Sequence, residues 1–338
     1  MNLHSLPEGI HRSEEKLLLD KLNYIGNFIG QTPVRELPHD QIRLFVKLEY
    51  NNYSGSIKDR AVYNILLNGI RSGVINSNTT IVESSSGNFA VSLASICKCL
   101  GLRSIVVIDP NINRSYEQIL RRIATRVVKV SKRDATGGYL LTRLDMVEEI
   151  CRQEEHIFWT NQYGNADNYL AYYNGLGIEL NQTFDKLDYV FIGVSTGGTI
   201  AGISRRIKQK FPHVKVVAVD VEGSVIFGTP PAKRYISGLG SSKVPGMIKE
   251  AIIDQVIHVS EINVVRGCQE LFDRYAIFGG GSTGAMYYAV KDFFAAAHPG
   301  NNHHVLFLCP DKGYPYMDTI YNEEWVNRTL LNAPVPVP

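Results

Sequence analysis

No block of like charge, no Cys-x-x-Cys pair and no apolar run of membrane-spanning length occurs in the chain, and each absence removes a class of function. With 35 Lys and Arg against 33 Asp and Glu the formal net charge is only +2, so neither nucleic acid nor an anionic membrane is favoured as a partner. The Arg121-Arg122 pair and the Arg205-Arg206-Ile207-Lys208-Gln209-Lys210 cluster read as solvated helix surfaces. Five cysteines (Cys97, Cys99, Cys151, Cys268 and Cys309) fall within apolar helix or strand patterns, which suits reduced thiols and no metal site. Residues 1–15 carry acidic side chains and lack the apolar core of a signal peptide. A soluble, cytoplasmic protein without a metal is expected.

What is present is an apolar content of 44% over 338 residues, enough for two lobes and a buried site between them. Strand patterns are read at 43–49, 80–83, 104–109, 126–130, 157–160, 189–194, 215–221, 255–259 and 304–308. They alternate with amphipathic helices at 58–72, 88–100, 116–125, 140–153, 167–180, 199–211, 262–275 and 283–296. Runs such as Tyr189-Val190-Phe191-Ile192-Gly193-Val194 are apolar on both faces, as in parallel strands covered by helices on both sides. The class is therefore α/β with right-handed crossovers. A helix is also read at 14–28, an extended segment after Gly30-Gln31-Thr32-Pro33, and a loose tail at 332–338, where three prolines exclude a helix.

The stretch Asn52-Tyr53-Ser54-Gly55-Ser56-Ile57-Lys58-Asp59-Arg60 places a lysine where a strand turns into a helix. Helix-terminal positive charge and desolvation both disfavour an ammonium there, so Lys58 is a candidate Schiff-base lysine; alternatively it is a solvated cation near Asp59. Three further loops sit between a strand and a helix N-terminus, where ligands collect in open α/β sheets. Ser84-Ser85-Ser86-Gly87-Asn88 offers hydroxyls and N–H groups for a carboxylate, or an ordinary N-cap. Val194-Ser195-Thr196-Gly197-Gly198-Thr199 can face a phosphate dianion. It has neither the Gly-Lys-Ser/Thr of a P-loop nor GxGxxG spacing, which disfavours ATP and NAD there. Gly279-Gly280-Gly281-Ser282-Thr283-Gly284 is the third.

In this order, and with Asn161-Gln162-Tyr163 and Ser237-Gly238-Leu239-Gly240 between them, the motifs resemble the cysteine synthase and cystathionine β-synthase family of pyridoxal-phosphate enzymes. The likeness runs from Gly30-Gln31-Thr32-Pro33 through Pro310-Asp311-Lys312-Gly313. It implies a two-lobed fold type II (tryptophan synthase β-like) enzyme, each lobe a mostly parallel sheet covered by helices. Residues 47–158 would form a smaller lobe that closes on the substrate, and 1–46 with 159–338 a larger lobe that holds the cofactor phosphate. It implies pyridoxal 5'-phosphate as cofactor, and a homodimer. Lys58 would be the catalytic lysine, Asn88 would bind the ring hydroxyl, Ser195, Thr196, Gly197, Gly198 and Thr199 would cradle the phosphate, and Ser282 would face the pyridine nitrogen. A hydroxyl there does not enforce ring protonation, which suits β-elimination from an activated serine. Ser85, Ser86, Gly87 and Gln162 would hold the amino-acid carboxylate, with Gly238 among the substrate contacts.

Ser195, Tyr163 and Phe89 stand where sulfhydrylases commonly have glycine, phenylalanine and threonine. The segments Gly137-Gly138-Tyr139-Leu140-Leu141-Thr142-Arg143 and Val221-Glu222-Gly223-Ser224-Val225-Ile226-Phe227-Gly228 are similar to the N-(2-amino-2-carboxyethyl)-L-glutamate synthases, which join O-phosphoserine to glutamate on the way to the 2,3-diaminopropionate of siderophores and peptide antibiotics. That resemblance implies O-phosphoserine and glutamate as substrates. Glutamate brings two carboxylates that need fixed donors, and Arg143, Tyr163 and Ser195 are the candidates. A cysteine or cystathionine β-synthase using a sulfur nucleophile is the alternative, and Arg143 as a surface cation is its bland counterpart.

Overall fold

The computed structural model describes residues 8–135, 137–296 and 302–331, so the expected tail at 332–338 lies outside the described residues. Among the described residues, ten strands form two sheets. In the six-stranded sheet the order is β1 (Val34–Leu37), β2 (Ile42–Leu48), β10 (His303–Cys309), β7 (Tyr189–Gly193), β8 (Lys215–Val221) and β9 (Gln255–Val259). In the four-stranded sheet it is β5 (Arg126–Lys129), β4 (Arg103–Ile108), β3 (Thr80–Ser84) and β6 (Ile157–Trp159). All pairings are parallel except β1 with β2, where Val34 faces Lys47 and Leu37 faces Leu44. The extended segment after Pro33 is thus a true edge strand.

Parallel strands need cover on both faces, and β4 shows how the sequence provides it. Its period of two sends Val106 and Ile108 to one side, against α3 (Asn88–Leu100) and α4 (Arg114–Ile123). Ile105 and Val107 go to the other side, against Val147 and Ile150 of α5 (Leu140–Gln153). The larger sheet is covered in the same way by α8 (Gly198–Lys210), α9 (Glu261–Tyr275) and α10 (Gly281–Ala296), and α2 (Lys58–Arg71) packs into the same core.

Three helices depart from expectation. The first, α1, spans Glu8–Gly26 and stops two residues short of Phe28, where residues 24–29 tighten into a turn. Gly26 lies so close to Tyr63 that a Cβ would sit 2.8 Å from its hydroxyl. The helix read over 167–180 is α6 (Ala166–Ala171) and α7 (Gly177–Thr183), joined by a wider π turn at Tyr172–Leu176. Finally, the short α11 (Glu323–Val326) has no counterpart in the sequence reading; the Asn322 side chain caps it by accepting from Trp325 N–H. Among the described residues no helix is long and apolar enough to cross a membrane.

Candidate active site

The carboxyl ends of β3, β7 and β10 open on one cavity of about 830 Å³, within the range of small-molecule and cofactor sites. β3 and β7 hand the chain through a loop to the N-termini of α3 and α8, the loop before Lys58 follows β2, and the 279–284 loop follows α9 rather than the strand expected; all four loops meet at this cavity. Lys58 is the first residue of α2; Gly55, with φ +96°, makes the preceding turn, and Ile57 N–H donates to Pro310 C=O at 2.8 Å. Burial pushes the Lys58 amine down to about 8, while the nearby Asp311 carboxylate acts in the opposite direction. Desolvation thus supplies the activation expected of a helix-start lysine.

On the small-sheet side, Asn88 opens α3. Its Nδ2 donates to Asp311 Oδ2 at 2.7 Å and its Oδ1 accepts from the Tyr116 hydroxyl. Ser86 is already engaged: its hydroxyl donates to Asp109 Oδ2 at 2.8 Å and accepts from Asp109 N–H at 3.0 Å and Arg143 Nη1 at 3.2 Å. Ser85 N–H is spent on Val107 C=O at 3.1 Å, and its hydroxyl accepts from Gly87 N–H at 3.4 Å. Gln162, 5% exposed, donates from Nε2 to Ser84 C=O at 3.0 Å, which leaves its carbonyl oxygen and one N–H for a ligand.

Across the cavity, Gly197 (φ +84°) turns β7 into α8, and no side chain caps the first N–H groups of that helix. A Cβ on Gly198 would lie 2.4 Å from Asn168 Oδ1, and one on Gly197 would lie 3.1 Å from Ile248 N. The loop therefore has to be glycine, and it leaves donors for an anion at the positive end of a 13-residue helix. Ser195 Oγ donates to Gly240 C=O at 3.2 Å. Ser282 sits 7% exposed in the first turn of α10, and Gly238, with φ +94°, passes the Tyr316 hydroxyl. Every nominated residue except Gly198 lines the cavity, and Gly198 packs against the Asn168 side chain. A phosphate-bearing aromatic aldehyde fits this set: an activatable amine, an uncapped helix N-terminus, an amide donor and a hydroxyl.

Comparison with known proteins agrees with that chemistry. The family model described as "Pyridoxal-phosphate dependent enzyme" matches residues 25–311. The chain belongs to that family. Its fold matches the O-acetylserine dependent cystathionine β-synthase of Helicobacter pylori at 26% identity, TM-score 0.81, over 88% of this chain and 98% of that one. A hydrogen sulfide-producing enzyme of Fusobacterium nucleatum matches at 27% identity, TM-score 0.80, over 86% and 98%. The N-(2-amino-2-carboxyethyl)-L-glutamate synthase of Ralstonia nicotianae is 40% identical over 309 residues, 90% of this chain and 91% of that protein. This member of the family is thus an α/β enzyme of fold type II that uses pyridoxal phosphate.

Two residues of this pyridoxal-phosphate enzyme's site, Arg234 and Asp311, were not nominated from the sequence, and Ser84 was read only as part of the loop that ends at Asn88. Ser84 lines the cavity with a buried hydroxyl that has no partner among the described residues. Arg234 lies in the long segment after β8; its Nη2 donates to Ser242 Oγ at 3.0 Å, and among the described residues no carboxylate pairs with it. Burial lowers its basicity, and Tyr163 is within electrostatic reach of both Arg234 and Arg143. Asp311, 2% exposed, stands behind the cavity wall. A lone Arg in an irregular segment carries no motif, and Asp311 was quoted only within the 310–313 end of the resemblance, so only the packing of distant segments gives the two their place.

Arg143 is not a surface cation. Its side chain is 11% exposed, and Nε lies 3.1 Å from Asp109 Oδ2 without the alignment of a hydrogen bond. The contact with Ser86 also links it to the loop nominated for the first substrate.

Proposed function

We propose that the enzyme carries out a β-replacement in which O-phospho-L-serine loses phosphate and the amine of L-glutamate takes its place, giving N-(2-amino-2-carboxyethyl)-L-glutamate, a precursor of 2,3-diaminopropionate. The observation that carries this reading is the charge of the cavity wall. Beside Lys58, which the cofactor engages, five cationic side chains (Arg114, Arg133, Arg143, Lys233 and Arg234) and two carboxylates, Asp109 and Asp318, line the cavity among the described residues. Phosphoserine and glutamate together bring three carboxylates and a phosphate, whereas sulfide needs no anchor. The name of the Ralstonia relative supports the same choice.

Bound pyridoxal phosphate supplies the electron sink for the α-carbon. The chain's residues do the rest. Lys58 Nζ takes the α-proton and later returns it. Ser85, Ser86, Gly87 and Gln162 orient the substrate carboxylate, and Ser195 to Thr199 with the α8 N-terminus hold the cofactor phosphate. The β C–O bond breaks with its electron pair leaving on phosphate; the glutamate nitrogen forms the new C–N bond and gives up a proton. Arg143, Tyr163 and Ser195 receive glutamate. Lobes of 47–158 and of 1–46 with 159–338 close when the first substrate binds, which excludes water.

The same reading makes the protein a cytoplasmic homodimer. All five cysteines are free thiols. An exposed aromatic cluster of Tyr24, Phe28 and Tyr53, with ring centroids 5.4 and 6.5 Å apart, suits burial against a second copy. Sedimentation as a monomer at assay concentration contradicts that state. The deciding assay offers the holoenzyme phosphoserine or acetylserine with glutamate, homocysteine or sulfide and identifies products by mass. Phosphoserine with glutamate is expected to give the amine-linked dicarboxylate. Sulfur-linked products alone transfer the enzyme to the cysteine or cystathionine synthases.

A further inference from the structure

We infer that Asp311 is a positioning residue of the cofactor site: its carboxylate reaches from the end of β10 to the first turn of α3 and fixes the Asn88 amide as a hydrogen-bond donor toward the cavity. This rests on the assignment of Asn88 to the cofactor, not on the choice of substrates.

A side-chain amide can present nitrogen or oxygen to a ligand, and its partners decide which. A carboxylate only accepts, so the atom of Asn88 that lies 2.7 Å from Asp311 Oδ2 must be nitrogen. The same Oδ2 also accepts from the Tyr316 hydroxyl at 2.8 Å, which holds the carboxylate itself. On the other side, the Tyr116 hydroxyl donates to Asn88 Oδ1. Both ends of the amide are thus specified, and the second N–H of Nδ2 is the donor that remains for a ligand oxygen in the cavity that Asn88 lines.

The backbone at the same position reinforces the role. Residue 311 forms an isolated bridge with Ser56, and Gly280 N–H donates to Asp311 C=O at 3.1 Å. A Cβ on Gly280 would sit 2.2 Å from Asp311 Oδ1, so that glycine is required by the carboxylate. One residue therefore joins three loops: the one before Lys58, the one before Ser282, and the one that ends at Asn88. Burial pushes the Asp311 carboxyl up, the hydrogen bonds from Asn88 and Tyr316 and the nearby Lys58 oppose that rise, and Asp311 in turn opposes the effect of burial on the Lys58 amine.

The test is a double-mutant cycle on cofactor binding, with pyridoxal phosphate added to stripped protein and no substrate present. Asp311→Asn keeps the shape but can offer either oxygen or nitrogen to Asn88, so the amide loses its preferred orientation. Cofactor affinity is expected to fall about tenfold, the scale of a charge-assisted hydrogen bond. The ratio of visible to near-ultraviolet absorbance of the bound cofactor is expected to shift as it does in Asn88→Ala. The loss in the double variant should be clearly less than the sum of the two single losses, because the Asp311 hydrogen bond acts through Asn88 while its charge beside Lys58 acts separately. Additive losses, or wild-type affinity and spectrum in Asp311→Asn, overturn the inference. So does wild-type binding in Asn88→Ala, since no amide then needs orienting. If Asp311→Asn does not fold, Tyr116→Phe removes the other orienting partner; its spectral shift must appear in the wild-type background and vanish in Asn88→Ala. No substrate enters these measurements, so the substrate reading can fail without affecting them.

Discussion

Two groups of charges lie within this enzyme, and their stoichiometry differs. Beneath the loop before Lys58, Lys47, Glu49, Arg60 and Glu179 form a buried group with two charges of each sign and side-chain exposures of 8% or less. Arg60 donates to both carboxylates at 2.6–2.9 Å, Lys47 Nζ reaches Glu179 Oε2 at 2.8 Å, and Thr32 and Asn52 satisfy the remaining acceptors of Glu49. Beside Lys58, the cavity wall has five cations against two carboxylates among the described residues. Where every charge has its partner, the charges hold β2, α2 and α7 in one arrangement. Where cations outnumber carboxylates, the wall attracts an anionic ligand, the role proposed for it above. The first group therefore belongs to stability and the second to binding, and substitutions should separate them.

The largest effect is expected at the junction of the two. Lys58→Ala should reduce turnover to the detection limit while leaving the urea midpoint at or above that of wild type, because it removes a partly desolvated amine. Retained activity would return Lys58 to an ordinary cation. Next, Arg60→Ala leaves two buried carboxylates without their main partner and should cost roughly 3–5 kcal/mol in urea unfolding. If that variant instead keeps its stability and loses only substrate affinity, the division between the groups is wrong.

A smaller effect is expected from Arg143→Ala. Loss of a charge-assisted contact to glutamate should weaken glutamate's apparent affinity about 10- to 100-fold. The Ser86 contact adds a lesser loss for the first substrate, so the elimination half-reaction should slow less than the addition half-reaction in single-turnover spectra. Lysine should rescue poorly, since it lacks the guanidinium fork. Unchanged kinetics in both halves would remove Arg143 from the site.

The smallest effect is a pH dependence of the paired group. Burial pushes the Glu179 carboxyl up, but Arg60 and Lys47 outweigh it and hold the group at about 2. A carboxyl lowered on folding contributes stability that is complete above its unfolded value of about 4.5 and is lost as pH falls toward about 2. Urea midpoints should therefore drop between about pH 5 and about pH 3, and Glu179→Gln should flatten that part of the profile. A Glu179→Gln profile as steep as wild type would assign the acid sensitivity to other carboxyls.

Much of this was legible in the chain. The alternation of apolar strands with amphipathic helices gave the α/β class, because parallel strands covered on both faces leave an unmistakable apolar pattern, as in β4 and β7. The four glycine and serine loops were legible because an anion at a helix N-terminus demands small residues at fixed offsets, and Gly197 and Gly198 show the close approach that enforces them. Even the helix starting at Leu140 was placed to the residue. Less legible was the helix over 167–180: the π turn at Tyr172–Leu176 arises where Gly177 and Gly202 let α6, α7 and α8 approach, and a helical period does not record who the neighbour is.

The sequence by itself determined which loops could carry chemistry, since local backbone geometry and helix-end electrostatics act over a few residues. Only the tertiary structure decided which partners those loops meet. Arg143 is paired with Asp109, Asn88 is held between Asp311 and Tyr116, and Arg234 comes into the cavity from an irregular segment. The contacts of Arg143 with Asp109 and of Asn88 with Asp311 and Tyr116 join residues at least 28 positions apart, and no local pattern constrains the far side of such a pair. The strength of a buried charge or hydrogen bond depends on what surrounds it, and that is set when segments distant in the chain are brought together.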